Sequence, residues 1–387
     1  MPANLTLRAI KAKHGDSLLL FAQGATVLID GGPSGVYSRF LRDQLAALPG
    51  KNGEPPVIDL MMVSHIDADH IDGILDLTDE MIEAKEEDRD PIVTIRRAWH
   101  NSFADTIARG SGASTSATQA RAASLAGVMD ELPMGDIDLH DSKLVLSSVA
   151  QGRRLRLDLK ALNVDVNQRF RDRLALLGNA DTPWRRGALS LDVIGPAQEQ
   201  VDRLRQEWAK KLEKILKKEA DARTAAASMD TSISNLASIV VVAEAGGKSA
   251  LLTGDARGKM VLEWLEKTGR LAPGGTVHFD IVKLPHHGSD RNVTPEFFQR
   301  VTADHYVMCG DGKHGNPEPH TFEMLFAARP ALDFKLHMTY GPDEIKSHKE
   351  FKKHNLGPVL DAALAPVAGK PVLNFPADGE TFVDIAV

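Results

Sequence analysis

Short apolar runs stopped by Gly, Asp or Pro dominate both ends of the chain. Residues 18–21 and 26–29 flank Gln23-Gly24, the pattern of two strands joined by a hairpin turn. Asp30-Gly31-Gly32-Pro33 ends that pattern, and residues 38–48 have apolar positions at helical spacing. Residues 57–63 (VIDLMMV) read as a strand buried on both faces. They run straight into the polar SHIDADHIDG, after which residues 71–77 predict the start of a helix. A further strand is expected at 189–194, stopped by Gly195-Pro196. Residues 201–223 form the clearest helical pattern, with Val201, Leu204, Trp208, Leu212, Ile215 and Leu216 in one stripe and eight basic and five acidic residues around it. Gly110 begins a low-complexity loop, GSGASTSAT. The last third returns to strands: residues 239–243 and 249–253 flank Ala245-Gly246-Gly247-Lys248, a second hairpin signature. Residues 260–268 are helical in pattern, and 280–284 are a buried-type strand ending at Pro285-His286-His287-Gly288-Ser289.

Composition bounds the class. With 387 residues, 43% of them hydrophobic, the chain has ample material for a core, which excludes wholesale disorder. Its single cysteine, Cys309, excludes an intrachain disulfide and any multi-cysteine zinc site. Lys and Arg number 46 against 53 Asp and Glu, a net charge of −7, which argues against tight, sequence-independent DNA binding through many phosphate contacts. Brief engagement of a phosphodiester at a metal site stays compatible with that balance. Residues 67–90 hold eleven carboxylates against Lys85 and Arg89, and most of these read as a solvated helix face. The longest membrane-like apolar run, 239–243, falls far short of the ~20 residues a spanning helix needs. The first residues lack the basic-then-apolar layout of a signal peptide, so a soluble cytoplasmic protein is expected, with no membrane partner.

Chemistry concentrates at His65-Ile66-Asp67-Ala68-Asp69-His70, four ligand-capable side chains within six residues directly after a strand. Alternation in an extended segment points His65 and Asp67 to one side, and a turn brings Asp69 and His70 to a neighbouring point. That pattern suits two metal ions a few Å apart, the arrangement used for hydrolytic displacement. Imidazole suits zinc, while the added carboxylates shift preference toward manganese. Asp255 closes another strand in LLTGD, and thirty-one residues later His286 and His287 close a third. Alone, Asp255 reads as a helix cap and the His pair as a turn. Loops at strand ends in αβ sheets converge on ligands, however, and three such clusters of His and Asp point to one metal site.

These segments resemble the metallo-β-lactamase fold, in the form with Asp at the third position of the metal signature that is typical of the nuclease-like domain of ComEC-type DNA-uptake proteins and their soluble relatives. The resemblance rests on His65 to His70 and on HGDSLLL from His14, VLIDGG from Val27, NLASIVVV from Asn235, LLTGDA from Leu251 and LPHHGS from Leu284, in the family's order. GKHGNPEPH, from Gly312 to His320, is a looser match, and coverage is confined to roughly residues 5–75 and 230–345. It implies an αββα sandwich forming a single domain over 1–387, with a partly helical insertion at about 76–229. His65 and Asp67 would bind one ion, Asp69 and His70 the other, and Asp255 would bridge both. His286 would complete the second site, with His287 as a proton-transfer group, and Asp30 would hydrogen-bond the metal loop, a role open to Asp16 as well. Many members of the wider fold have a His about twenty residues before the bridging Asp. This chain has Ser234-Asn235 there, as ComEC-type relatives do, and His100 is the candidate substitute.

The function expected is metal-dependent hydrolysis using two divalent ions, zinc or manganese, in which Asp69 orients the attacking water and His287, His314 or His320 supplies a proton to the leaving group. Lys283 and Arg291, near the His pair, are candidates to meet a phosphate. A phosphodiesterase or nuclease is the first reading. A hydrolase of small esters, lactones or amides is the second, because fold does not fix substrate. A metal-stabilised regulatory protein without turnover, recruited through the helix around Trp208, is the third.

Overall fold

The structure, a computed structural model, describes residues 5–102, 143–203 and 237–387. β1 (Leu5–Ile10), β2 (Ser17–Ala22) and β3 (Ala25–Gly31) form an antiparallel meander. Successive side chains of a strand point to opposite faces. Leu18 and Leu20 of β2 and Val27 and Ile29 of β3 therefore enter one apolar cluster, and Leu19 and Leu28 another. Burial on both faces is why these strands read as continuous apolar runs.

The run at 57–63 is not one strand. It divides into β4 (Val57–Ile58) and β5 (Leu60–Val63), with Asp59 between them. The Asp59 carboxylate accepts a hydrogen bond from the Thr26 N–H at 3.1 Å and pairs with Arg186 at 2.8 Å. Among the described residues, β4 pairs only with β6 (Thr94–Ile95), whereas β5 continues the meander in parallel with β3 and with β7 (Arg97–His100). With β8 (Asp165–Val166) at one edge and the C-terminal β17 (Phe382–Ala386) at the other, the first sheet has, among the described residues, seven strands in the order β17-β1-β2-β3-β5-β7-β8.

The second sheet has eight strands among the described residues. β9 (Trp184–Arg186), β10 (Leu189–Gly195), β11 (Val240–Ala245) and β12 (Lys248–Leu252) are antiparallel neighbours. β13 (Val277–Lys283), β14 (Val301–Met308), β15 (Lys335–Met338) and β16 (Leu373–Asn374) extend it in parallel. Leu191, Val241, Leu252, Ile281 and Val307 meet Leu18, Leu20 and Val27 in the layer between the sheets.

Helices cover both outer faces. α1 (Arg42–Ala46), α2 (Ala68–Glu86) and α3 (Lys143–Ala161) place Leu45, Ile71, Ile74, Leu155 and Leu159 over the first sheet. Over the second, α4 (Gly258–Lys267), α5 (Pro295–Arg300) and α6 (Pro319–Ala328) contribute Trp264, Leu265, Phe297, Phe298 and Phe322. α7 (Pro342–Ser347), α8 (Lys349–Lys353) and α9 (Gly357–Leu364) add Ile345, Phe351 and Leu360. The architecture is an αββα sandwich, as expected from the sequence. In the span 76–229, the described residues supply α3 but also β7 and β8 to the first sheet and β9 and β10 to the second. The loop at 110–118 and, beyond Arg203, the helix read at 201–223 lie outside the described residues. No described helix is long and apolar enough to cross a membrane.

One backbone contact brings the start of α2 against the end of β3. The Gly73 N–H donates to the Gly32 carbonyl at 2.9 Å, and a β-carbon on Gly73 would lie 1.9 Å from the Gly31 carbonyl oxygen. Gly73→Ala is therefore expected to cost about 1–3 kcal/mol through overpacking. Equilibrium urea unfolding checks this, and an unchanged midpoint would contradict the close approach.

Candidate metal centre

Five chain segments meet at one end of the sandwich: the β1–β2 turn, the ends of β3, β5 and β12, and the turn after β13. The Ile239 N–H bonds the Ser64 carbonyl at 2.8 Å, tying the two sheets together there. Gly15 crosses so close to α2 that a β-carbon on it would lie 1.9 Å from the Asp69 carbonyl oxygen, which sets Asp16 beside the metal loop. Asp30, His286 and His287 all have left-handed backbone, with φ of 57°, 46° and 54°. Such conformations are costly for non-glycine residues and concentrate where side chains must be aimed.

Four imidazoles converge on the Asp255 carboxylate. Their Nε2 atoms lie 3.7 Å (His65), 3.3 Å (His70), 3.5 Å (His286) and 3.5 Å (His287) from its oxygens. Each ring is held from behind through Nδ1. His70 donates to Asp30 at 2.8 Å and His287 to Asp16 at 3.0 Å. His286 donates to the Asn292 side-chain oxygen at 3.0 Å. His65 stands 3.1 Å from Ser64 Oγ, which itself donates to Asp30 at 2.7 Å. Fixing Nδ1 as the donor leaves Nε2 to face inward as a ligand atom. Asp67 lies 3.6 Å from His65, and Asp69 lies 3.4 Å from His287.

The donor set fits a divalent cation. Among the described residues, the Nε2 atoms of His65, His70 and His287 and Asp255 Oδ1 are buried without a hydrogen-bond partner, a costly state for four polar atoms facing one point. Ligand atoms of Asp16, His70, Asp255 and His287 lie within 4.8 Å of one another, as do those of His65, Asp69 and His70. Charge agrees. Burial would raise Asp16, yet the Lys283 ammonium and His287 hold it well below the usual carboxylate range. Burial likewise acts against the charged form of Asp255, and the imidazoles around it outweigh that effect. Burial and the neighbouring His70 lower His65 to about 3, which leaves it neutral. Burial pushes His70 and His287 down, but Asp255 and the other carboxylates raise both, so these rings draw protons toward the place a cation would take.

The sequence-level candidates divide accordingly. His65, Asp67, Asp69, His70, Asp255, His286 and His287 all come together. His287 rather than His286 belongs to the fully buried tetrad, while the His286 side chain is 29% exposed and approaches Asp255 from the solvent-accessible side of the site. Asp30 buttresses His70 and also accepts from the Ser64 N–H at 2.7 Å. Asp16 does the same for His287, with its other oxygen committed to Lys283. Lys283 is not a surface charge awaiting phosphate: it is fully buried, ion-paired with Asp16 and 3.2 Å from the Gly254 carbonyl. His100 is buried, but its Nε2 faces the Gly152 carbonyl at 3.3 Å and it joins neither ligand group among the described residues. His320 is exposed and pairs with Glu323 at 2.9 Å, so it does not reach the site. His314 stands at the rim, its ring 5.7 Å from that of His14, and His14 is 3.1 Å from Lys313 Nζ. Ser64 and Asn292 escaped the sequence reading, since no spacing rule marks a side chain that holds the far nitrogen of a ligand. Ser234-Asn235 lie outside the described residues.

No protein-family model matches the chain. A stretch of 84 residues, 21% of this chain, is 33% identical to microtubule-associated protein 1S of Bos taurus and spans 8% of that protein. Similar solved structures include the metallo-β-lactamase fold protein YhfI from Bacillus subtilis, at 9% identity over 98% of this chain and 99% of that one, with a TM-score of 0.36. Zn(2+)-bound PqqB from Methylobacterium extorquens is 12% identical over 96% of this chain and 87% of that one, with a TM-score of 0.34. CmlA, a diiron β-hydroxylase from Streptomyces venezuelae, is 12% identical over 100% of this chain and 55% of that one, with a TM-score of 0.35. The sandwich itself is established by the sheet order and packing above.

Asp30→Asn retains the shape of the side chain but removes the charge behind His70. It is expected to weaken metal affinity about 10–100-fold, measured by competition with a chromophoric chelator. Equal affinity in parent and variant would show that Asp30 does not support a ligand.

Proposed function

We propose that the protein is a metal-dependent hydrolase of the metallo-β-lactamase fold acting on phosphodiesters, as a phosphodiesterase or nuclease. The observation that carries this reading is the convergence of four Nε2 atoms on Asp255, with three of them and an Asp255 oxygen left without a hydrogen-bond partner among the described residues. His65, Asp67 and Asp255 would hold one ion, with His286 beside them. Asp69, His70, His287 and Asp255 would hold the second. Zinc or manganese bound there would lower the pKa of water toward neutrality and offset charge developing on the attacked centre.

The protein's own groups do the positioning. Asp30, Asp16, Ser64 and Asn292 fix the four rings, so the donors need no rearrangement. The Asp69 side chain is 23% exposed beside buried His287, which suits it to orient the attacking water. His286, also partly exposed, would face the substrate from the accessible side of the site. Burial and Lys313 lower His14 to about 4, so it is neutral and its Nε2 accepts from the Lys313 ammonium. That ammonium, held at the rim beside residues in the field of Asp69, supports an anionic substrate over a neutral ester.

Single-stranded DNA, bis(p-nitrophenyl) phosphate and p-nitrophenyl acetate, each with manganese or zinc, test this reading. The phosphodiesters are expected to turn over, and Asp69→Ala and Asp255→Ala to lose about a thousandfold or more in kcat/KM. Turnover of the acetate alone would favour the ester hydrolase. Metal binding without turnover of any of the three would favour the non-catalytic reading.

A further inference from the structure

Both sheets end at the same edge of the sandwich. β8 is the last strand of the first sheet and β9 the last of the second. A cavity of about 470 Å³ opens between them, lined by Arg97, Trp99, Asp165, Arg169, Trp184 and Arg185 among others. Trp99 packs edge-on against Trp184, with centroids 6.3 Å apart, and against Phe170 at 5.1 Å, giving the cavity a rigid aromatic floor.

Three guanidinium groups face one carboxylate. Among the described residues, Asp165 forms no ion pair, and neither Arg97 nor Arg185 makes an ion pair or a side-chain hydrogen bond. Nearby arginines are matched: Arg186 to Asp59 at 2.8 Å, and Arg270 to Asp192 at 3.1 Å and Glu244 at 2.9 Å. Arg169 donates to the Thr182 carbonyl and is partly buried. Burial and the charge of Arg97 both press against its protonated form, and the Asp192 that opposes them is already committed to Arg270. Like charges gathered at a partly enclosed site without a counter-charge favour an anion. The planar fork of arginine matches phosphate oxygens two at a time, and the volume lies in the range of small-ligand pockets.

We propose that this cavity binds a phosphate-bearing small molecule of nucleotide size, with the phosphate on Arg97, Arg169 and Arg185 and the organic part against Trp99 and Trp184. The pocket is separate from the metal centre. Trp99 pairs with Met62, three residues before His65, which puts about 10 Å of backbone between the two.

Calorimetric titration of the purified protein with AMP and with inorganic phosphate is the test. AMP is expected to bind, to bind at least tenfold more tightly than phosphate, and to lose at least tenfold in affinity in Arg97→Ala and in Arg185→Ala. Both residues are exposed, so melting temperature and metal content should match the parent. Asp255→Ala should lose metal but keep AMP binding, which separates this pocket from the hydrolase reading. No AMP binding at millimolar concentration, binding indifferent to both arginine variants, or binding lost with Asp255→Ala would each overturn the proposal. Phosphate binding as tightly as AMP would overturn the nucleotide-sized ligand.

Discussion

Asp255 sits where four imidazoles meet, and buried carboxylates outnumber permanent cations around that point. Asp16, Asp30 and Asp255 are almost wholly inaccessible, and the nearby permanent cation, Lys283, is already paired with Asp16. Uncompensated charge of this kind is expensive in a low-dielectric interior. The cost is tolerable because the imidazoles share it, and a divalent ion would remove most of it. Binding of an ion would therefore be coupled to the stability of the whole end of the sandwich.

That coupling explains why two sheets are needed. The first sheet supplies Asp16, Asp30, His65 and the start of α2, and the second supplies Asp255, Lys283 and the His286-His287 turn. No one sheet holds a complete set of ligands, and the pairs His70–Asp30 and His287–Asp16 show the division. The former closes within the first sheet, whereas the latter spans the layer between the sheets. The apolar cluster between the sheets sets the spacing, and the Ser64–Ile239 backbone bond fixes its end. A misplacement of even an ångström there would separate donors that must face one another.

The acidic net charge would not exclude an anionic substrate, because charge is distributed by region. The carboxylates of α2 lie on its surface or in the metal loop, Lys313 stands at the rim, and Arg97, Arg169 and Arg185 gather at the opposite edge strands. Local field, rather than the sum over the chain, decides what a cleft attracts.

Much of this was legible in the linear chain. Alternation and turn residues located most strands of both sheets, and the crowding of His and Asp between His65 and His70 marked a loop of candidate ligands, because side chains within one turn are necessarily close in space. The rest depended on contacts between distant residues. Lys283 reads as a surface charge because lysine is seldom buried, and only its meeting with Asp16, which lies far away in sequence, makes burial tolerable. The order of His286 and His287 was equally open, since adjacent residues differ only in the direction that left-handed backbone gives them. His320 is as plausible a proton donor as His314 in sequence, yet α6 leaves it exposed beside Glu323. Local periodicity determined which segments became strands and helices and which residues had ligand chemistry. The packing of two sheets decided which of those residues face one point, because that choice is made by long-range contacts with no local signature.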